Sequence, residues 1–278
     1  MAQRMFVLSI GLLVLLSIAP AAGQVWNTTT AGPPPPRPAG AVRPAAPRRS
    51  LGGTWDAGGG AGIQALGAKN MPSSGKPEHD VLFTPAGLAA FNLNKPGFGV
   101  REVPPGEIND WLNSCDPGGF PRANLYELRG LYVVQEPEKV LMLYQFQQVW
   151  RVIWTDGRAL PAEPDPRWYG YSVGTWVDDY TFDVRTTGLK EATWLDNAGR
   201  PHSDALTVTE RFHRSDLDTL ELSVTIDDPK FYQKPWLALD RFPLHRQPAT
   251  FDIAEMMCSA SEIAAYNKVI GNPVSNIK

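Results

Sequence analysis

A carboxylate on the apolar face of a predicted strand is the first candidate for chemistry. Residues 206–212 alternate apolar and polar types, and Glu210 falls on the apolar face. A carboxylate on a buried face must be paired or must shift its pKa, and both states can serve binding or proton transfer. Two interpretations follow: Glu210 carries protons in a reaction, or it forms an internal ion pair with Arg151 or Arg185.

The loop before that strand, residues 193–204, holds the second candidate group. His202 with Asp196 or Asp204 supplies a base and an orienting carboxylate, as acid–base catalysis requires. Ser203 adds a hydroxyl, but adjacent side chains rarely meet in triad geometry and this serine is not in a G-x-S-x-G elbow. The Asp-Asn-Ala-Gly sequence that starts at Asp196 is also typical of a turn, in which Asp and Asn bond their own backbone.

A third candidate group consists of aromatic residues in or beside the predicted strands. Tryptophan and tyrosine can line a pocket for a planar or hydrophobic ligand, or for a sugar. The same side chains also fill the interior of small barrels, and core filling is the simpler role for most of them. The candidate ligand-binding residues are Trp154, Trp176, Trp194, Tyr171 and Arg151.

The sequence offers few ligands for a metal ion or a cofactor. The four histidines form neither H-E-x-x-H nor an H-x-H pair, and acidic pairs such as Asp227-Asp228 are usually solvated turns. The Glu78-His79-Asp80 triplet has the same simple interpretation. The glycine-rich segment 58–62 lacks the Lys-Ser/Thr of a phosphate-binding loop. We expect neither a metal ion nor a cofactor.

The composition is that of a folded, acidic protein. Hydrophobic residues make up 43% and charged residues 20% of the 278 residues, which excludes a mainly disordered, collagenous or coiled-coil chain. The formal net charge is −3, and the acid-free segment 24–50 carries several arginines, so the rest of the chain is more acidic still. An acidic body is a poor match for nucleic-acid phosphates, and we expect no nucleic-acid partner.

The N-terminus has the three parts of a secretory signal. Arg4 gives a positive start, residues 6–18 form an apolar run, and residues 19–23 offer small side chains for cleavage. The apolar run is shorter than the roughly 20 residues of a transmembrane helix, and no later segment is long enough to span a bilayer. We expect residues 1–23 to be removed and the mature chain to be exported to the periplasm or the extracellular space.

The predicted export determines how the two cysteines are interpreted. In an oxidising compartment, Cys115 and Cys258, with no other cysteine in the chain, most simply form one disulfide. A bridge over so long a loop stabilises the fold by about 4–5 kcal/mol in the chain-entropy model. The alternative is a redox or metal site, but the chain has no C-x-x-C motif.

The rest of the chain divides into a linker and one domain. Residues 24–50 are rich in proline, alanine and arginine, which predicts an extended, disordered linker whose arginines can touch an anionic envelope surface. Residues 51–278 form a single β-rich domain. Its first part, 51–130, predicts loops over the domain and one short helix at 85–93, which Thr84 caps.

Strand signals dominate residues 131–252, where apolar or alternating segments recur about every ten residues between turns such as Asp156-Gly157 and Asp178-Asp179. The predicted strands cover residues 131–135, 140–146, 149–154, 171–177, 180–186, 206–212, 220–226 and 236–242. Because eight or so antiparallel strands leave two open edges, we predict a mainly β fold: an antiparallel meander that closes into a lipocalin-like barrel or a curved half-barrel. A capping box at 259–262 and Gly271 bound a C-terminal helix at 259–271.

Several long sequence words resemble a family of secreted bacterial β-rich proteins without an assigned activity. These words cover residues 153–158, 168–176, 193–196, 201–206 and 225–229. The resemblance spans roughly residues 116–258 and implies bacterial export and a shared β-rich body. This chain differs from that family at the turn Val177-Asp178-Asp179, where relatives tend to carry Glu-Gly-Asp. The short Gly53-Thr54-Trp55 motif is also similar to the opening of lipocalins, which supports barrel architecture only.

Three functions fit the sequence. The first is a binding module that holds a small apolar or aromatic ligand in the barrel pocket. The second is an acid–base enzyme, a hydrolase, hydratase or isomerase, in which Glu210 and His202 carry protons and Asp196 or Asp204 orients them. The third is an envelope-associated structural protein held by the basic linker. The second hypothesis requires its residues to converge on one cleft, whereas the third requires neither a pocket nor convergence.

Overall fold

A computed structural model describes residues 40, 42, 44–58, 77–126, 128–266 and 268–269. The predicted signal and residues 24–39 of the predicted linker lie outside the described residues, as do residues 59–62 of the glycine-rich segment and the end of the predicted C-terminal helix.

Nine strands form a closed barrel in sequence order, and the ninth pairs with the first. The strands are β1 (Gly53–Asp56), β2 (Leu131–Gln135), β3 (Lys139–Tyr144), β4 (Trp150–Trp154), β5 (Tyr171–Trp176), β6 (Thr181–Thr187), β7 (Thr207–Arg214), β8 (Thr219–Asp227) and β9 (Trp236–Arg246). The mainly β fold class is confirmed, and the sheet closes rather than ending as a half-barrel.

Strand β1 completes the barrel. It lies within residues 51–130, for which the sequence predicts loops and one short helix. Trp55 pairs with Leu131 of β2 on one side and with Arg246 of β9 on the other. Four residues are too few to show a hydrophobic alternation, so only the Gly53-Thr54-Trp55 motif pointed to this strand.

One strand pair departs from the predicted antiparallel meander. Strands β4 and β5 are parallel and share only two paired positions, Ile153 with Ser172 and Trp154 with Val173. A parallel pair cannot be joined by a tight turn, so residues 155–170 return along the barrel before β5 begins. We call this short pairing the β4–β5 seam.

The remaining elements lie on the barrel or at its ends. The helices are α1 (Pro85–Leu93), α2 (Arg122–Leu125) and α3 (Ala260–Tyr266), and short 3-10 turns occur at Pro77–His79, Pro105–Glu107, Trp111–Ser114 and Phe146–Gln148. The Oγ1 atom of Thr84 accepts a hydrogen bond from the Gly87 amide at 3.1 Å, as a cap for α1. Helix α3 lies inside the predicted helix.

The disulfide predicted from the two cysteines is present in the structure. It joins Cys115, after the 3-10 turn at Trp111–Ser114, to Cys258, just before α3. Among the described residues, no helix has the length and apolar character that crossing a membrane requires.

Inward-facing side chains of the strands pack into one core. On β7, for example, Val208, Glu210 and Phe212 are buried, and the residues between them face outwards. The large buried side chains include Trp55, Phe120, Phe182, Phe212, Tyr232 and Trp236. The barrel interior is therefore filled by the protein's own residues.

The end of the predicted linker lies against the barrel. The Pro44 carbonyl accepts a hydrogen bond from the Leu217 amide at 3.0 Å, and the Ser50 carbonyl accepts one from Nη1 of Arg214 at 2.9 Å. Arg48 and Arg49 both form ion pairs with Asp179, in the turn between β5 and β6. These contacts fix residues 44–50 beside the strand ends.

Candidate functional site

Glu210 lies inside the barrel and is paired with Arg151. Nη1 of Arg151 donates to Oε1 of Glu210 at 3.1 Å, and Nη2 donates to Oε2 at 2.8 Å. Both side chains are essentially inaccessible to solvent. Of the two arginines that the sequence offered as partners, Arg151 faces inwards and Arg185 is exposed on the outer face.

Polar neighbours complete a network around this pair. Nδ2 of Asn124 donates to Oε1 of Glu210 at 2.6 Å, and the Tyr144 hydroxyl donates to Oδ1 of Asn124 at 3.0 Å. Nη1 of Arg151 also donates to the Tyr144 hydroxyl at 3.0 Å, and Nη2 contacts the hydroxyls of Ser172 and Thr186. The network ties α2 to strands β3, β4, β5, β6 and β7.

Burial and charge set the protonation states in this network. Burial raises the pKa of Tyr144 to about 12, so its phenol stays neutral. Burial alone lowers the pKa of Arg151, but the charge of Glu210, together with Tyr144 and the hydrogen bonds to both residues, outweighs burial and the pKa rises. The ring of Phe120 lies 3.6 Å from the guanidinium carbon of Arg151 and closes the pair from one side. The pair is thus a closed internal anchor with no access for a substrate.

His202 is buried in the loop before β7. Its Nε2 atom lies 2.7 Å from Oγ1 of Thr193, and its Nδ1 atom lies 3.2 Å from the carbonyl oxygen of Ser203. Because a carbonyl only accepts, Nδ1 carries the proton and Nε2 accepts from the threonine hydroxyl. Burial lowers the pKa of His202, which keeps the imidazole neutral.

The two aspartates proposed as orienting groups bond elsewhere. Asp196 accepts from the amides of Ala198 and Arg200, at 3.0 and 3.1 Å, and forms an ion pair with the Arg200 side chain. Asp204 is exposed and pairs with Lys230. In the described part of the chain, neither carboxylate bonds to His202, and the partners of His202 are not those of Glu210. Asp196 shapes the turn that its sequence also indicated.

An open cavity lies at the β4–β5 seam. Its volume is about 640 Å³. Trp154 and Val152 of β4 and Tyr171 and Val173 of β5 line it, and these residues alternate with buried neighbours, so the cavity lies on the outer face of the barrel. The other lining residues are Trp150, Arg151, Arg158, Ala159, Leu160, Pro161, Arg167, Trp168, Tyr169, Gly170 and Ser172. We call this cavity the aromatic groove.

The returning segment 155–170 supplies one wall of the groove, and its cations lie over aromatic rings. The guanidinium carbon of Arg158 is 3.5 Å from the Trp154 ring centre, and that of Arg167 is 4.0 Å from the Tyr171 ring centre. Nε of Arg158 donates to both carboxylate oxygens of Asp156 at 3.0 Å, and Nη2 donates to Oδ2 at 2.6 Å. These bonds keep the pKa of Asp156 below its ordinary value.

The aromatic groove takes in some of the predicted ligand-binding residues but not all of them. Trp154 and Tyr171 line it, and Arg151 borders it, but the side chain of Arg151 is buried in the barrel and paired with Glu210. Trp176 packs against Phe182 with ring centres 5.1 Å apart, and Trp194 is buried in the loop beside α2. Neither is among the residues that line the groove.

Sequence reasoning did not single out Trp168, Arg158 or Arg167 as ligand-binding residues. They all lie in segment 155–170, between β4 and β5 and outside both strands. The available signal was the length of that segment, which is too long for a tight turn between adjacent antiparallel strands.

In the part of the chain that the structure describes, no group of three or more His, Cys, Asp or Glu residues is arranged to hold a metal ion. His79, from the triplet considered in the sequence, lies 3.6 Å from Asp240. A scan against protein-family models, a search of curated proteins and a search of solved structures found no match for this chain.

Proposed function

We propose that this protein binds a small, largely apolar or aromatic ligand in the aromatic groove. The observation that carries the proposal is the 640 Å³ cavity with tryptophan and tyrosine on both walls. Ligand sites are typically concave, mainly apolar, about 300–1,000 Å³ in volume, and supplied with a few polar groups that orient the ligand. The groove has these properties.

The proposed site lies on the outer face of the barrel rather than in its interior. The interior at the level of Glu210 and Arg151 is occupied by their network, and Phe120 closes it. The seam, in contrast, has only two paired positions and an exposed tryptophan, Trp150, at its rim. A ligand can reach the groove without displacing any buried side chain.

Export and family membership belong to the same proposal. The secretory signal features support export to the periplasm or the extracellular space, and a Cys115–Cys258 disulfide fits an oxidising compartment. We further propose that the chain belongs to the family of secreted bacterial β-rich proteins that it resembles. A ligand-binding role is consistent with both.

The two alternative functions have weaker support. An acid–base enzyme needs Glu210 and His202 at one cleft, whereas each is buried among its own partners. A structural role held by the basic linker needs free arginines, whereas Arg48 and Arg49, the two linker arginines among the described residues, are paired with Asp179. We therefore place neither above ligand binding.

A neutral fluorescent probe tests the proposal. N-phenyl-1-naphthylamine is apolar and aromatic, and its emission rises when it leaves water. We expect it to bind the disulfide-bonded protein, and we expect Trp154→Ala to weaken binding about tenfold, or about 1.4 kcal/mol, because one wall loses its ring. The matched control is Trp111→Ala, since Trp111 is exposed and lies outside the groove.

Two results would overturn the proposal. One is a protein that does not bind the probe at all. The other is a probe affinity that falls equally in Trp154→Ala and Trp111→Ala, since the probe would then bind outside the groove. Circular dichroism of both variants shows whether the fold is kept.

A further inference from the structure

We infer that the ligand of the aromatic groove is a planar aromatic acid, whose acidic group Arg167 binds. This inference rests on the proposed function and adds the charge of the ligand to it. It is drawn from a difference among the arginines that line the groove: some are paired with a carboxylate and one is not.

All the charged residues that line the groove within the described ranges are arginines. Glu210 neutralises Arg151 inside the barrel, and Asp156 neutralises Arg158 at the rim. Arg167 lies over the Tyr171 ring, and no carboxylate of the described chain pairs with it. One lining arginine out of the set is therefore free to bind an anion.

A second cation stands beside Arg167. The Lys190 amide donates to the Arg167 carbonyl at 3.0 Å, which places these two residues on adjacent backbone segments. Nζ of Lys190 lies 4.2 Å from the centre of the Trp168 ring, and Trp168 lines the groove. Because the whole chain has a formal net charge of −3, this positive end of the groove is a local arrangement and not a result of composition.

The surroundings of Arg167 select the class of anion. A guanidinium can donate two parallel hydrogen bonds to a carboxylate or sulfonate. The rings of Trp168 and Tyr171 beside it favour a flat, apolar body over a sugar phosphate or an inorganic ion. A nucleic acid needs a row of cations spaced along its backbone, whereas the groove has one uncompensated arginine, with Lys190 against the Trp168 ring beside it.

A matched pair of probes separates charge from aromatic character. N-phenyl-1-naphthylamine and 8-anilinonaphthalene-1-sulfonate share one ring system, and the second carries an added sulfonate. We expect the unmodified protein to bind the sulfonate probe about tenfold more tightly than the neutral one, a difference of about 1.4 kcal/mol. Fluorescence titrations at low salt measure both affinities.

Variants of Arg167 assign this preference to one side chain. We expect Arg167→Gln to lower the affinity for the sulfonate probe about tenfold and to change the affinity for the neutral probe by no more than about twofold. Arg167→Lys keeps the charge and should retain most of the preference. The control is Arg241→Gln, which removes the same charge from an exposed position on β9, on another part of the barrel.

The outcomes distinguish the two proposals. If neither probe binds, or if Trp154→Ala changes neither affinity, ligand binding in the groove is wrong. If the neutral probe binds and responds to Trp154→Ala but the sulfonate probe binds no more tightly, only the acidic-ligand inference is wrong. Equal losses in Arg167→Gln and Arg241→Gln would also overturn it, because the effect would then be one of total charge.

Discussion

The barrel interior and the aromatic groove both place an arginine against an aromatic ring, yet they differ in what else the arginine contacts. In the interior, Arg151 lies 3.6 Å from the Phe120 ring centre and is paired with Glu210. In the groove, Arg167 lies 4.0 Å from the Tyr171 ring centre, and no carboxylate among the described residues pairs with it. The first arginine is buried and the second is exposed.

On the proposed function, this difference means that one residue type serves stability in the interior and recognition in the groove. A buried guanidinium needs a carboxylate and hydrogen-bond acceptors around it, and these partners leave no vacant position for a ligand. An exposed guanidinium keeps its hydration and can exchange it for an anion. Stability should therefore depend on the interior pair, and binding should depend on the groove.

The largest effect is expected from breaking the interior pair. Glu210→Gln leaves Arg151 charged and buried without its counterion, and we expect a loss of about 3–5 kcal/mol in the free energy of unfolding. The matched control is Asp183→Asn, because Asp183 forms its ion pair with Arg211 on the outer face of the neighbouring strands. An exposed pair contributes about 1 kcal/mol or less. Urea unfolding measures both values, and equal losses would show that the interior pair does not anchor the barrel.

Gly170, at the β4–β5 seam, should affect both stability and binding in the aromatic groove. Gly170 has φ +61°, and a Cβ added there would lie 2.5 Å from the Thr187 carbonyl oxygen. We expect Gly170→Ala to lower the free energy of unfolding by about 1–3 kcal/mol. It should also weaken binding of the neutral probe, because Tyr171 follows directly and must move. Gly157→Ala is the control, since φ there is +85° but no atom lies within 4 Å of the added Cβ. An unchanged affinity in Gly170→Ala would separate the seam from the binding site.

Acidity should affect stability but leave binding in the groove unchanged. The folded-state pKa of His202 is lowered by burial, so the unfolded chain takes up its proton first as the pH falls below about 6.5. The contribution of neutral His202 to the free energy of unfolding is complete above that pH. Below it, this contribution is lost by at most about 1.4 kcal/mol per pH unit. We expect His202→Gln to have a smaller drop in urea midpoint between pH 7 and 5 than the unmodified protein.

Over the same range, pH 7 to 5, affinity for the sulfonate probe should stay constant, since neither a sulfonate nor an arginine side chain changes its charge there. An affinity that fell in parallel with stability would mean that the groove and the His202 loop respond together.

The smallest effect is expected at the rim of the groove. Asp156→Asn removes the carboxylate that neutralises Arg158, so the sulfonate probe should bind about two- to threefold more tightly, while the neutral probe is unaffected. Both residues are exposed, and the urea midpoint should not move. Weaker sulfonate binding would show that Arg158 is not directed towards the ligand.

The strands of the barrel could be predicted because each carries its own pattern. The predicted segment 131–135 coincides with β2, and segment 171–177 ends one residue after β5. Strand β1 has too few residues for a pattern, and its position depends on pairing with both β2 and β9. The parallel pairing of β4 and β5 was not predicted either. Asp156-Gly157 indicated a turn after β4, but no residue indicated the direction in which the next strand would pair.

The candidate sites were predictable to different degrees. Alternation along one strand placed Glu210 inside and limited its partner to two arginines, of which the three-dimensional arrangement selects Arg151. The groove depends on Trp154 of β4 and Tyr171 of β5 meeting at one cavity, with Arg167 brought back from the connecting segment. No local pattern encodes such a meeting, since it arises only when the barrel closes.

The most direct test of the account locates the ligand among the tryptophans. The chain has nine, and 5-fluorotryptophan gives each a ¹⁹F NMR signal that single Trp→Phe variants assign. On titration with N-phenyl-1-naphthylamine, we predict shifts for Trp150, Trp154 and Trp168, which line the groove, and none for the buried Trp55 and Trp236. Shifts of Trp55 and Trp236 with unchanged groove signals would place the ligand inside the barrel and contradict the account.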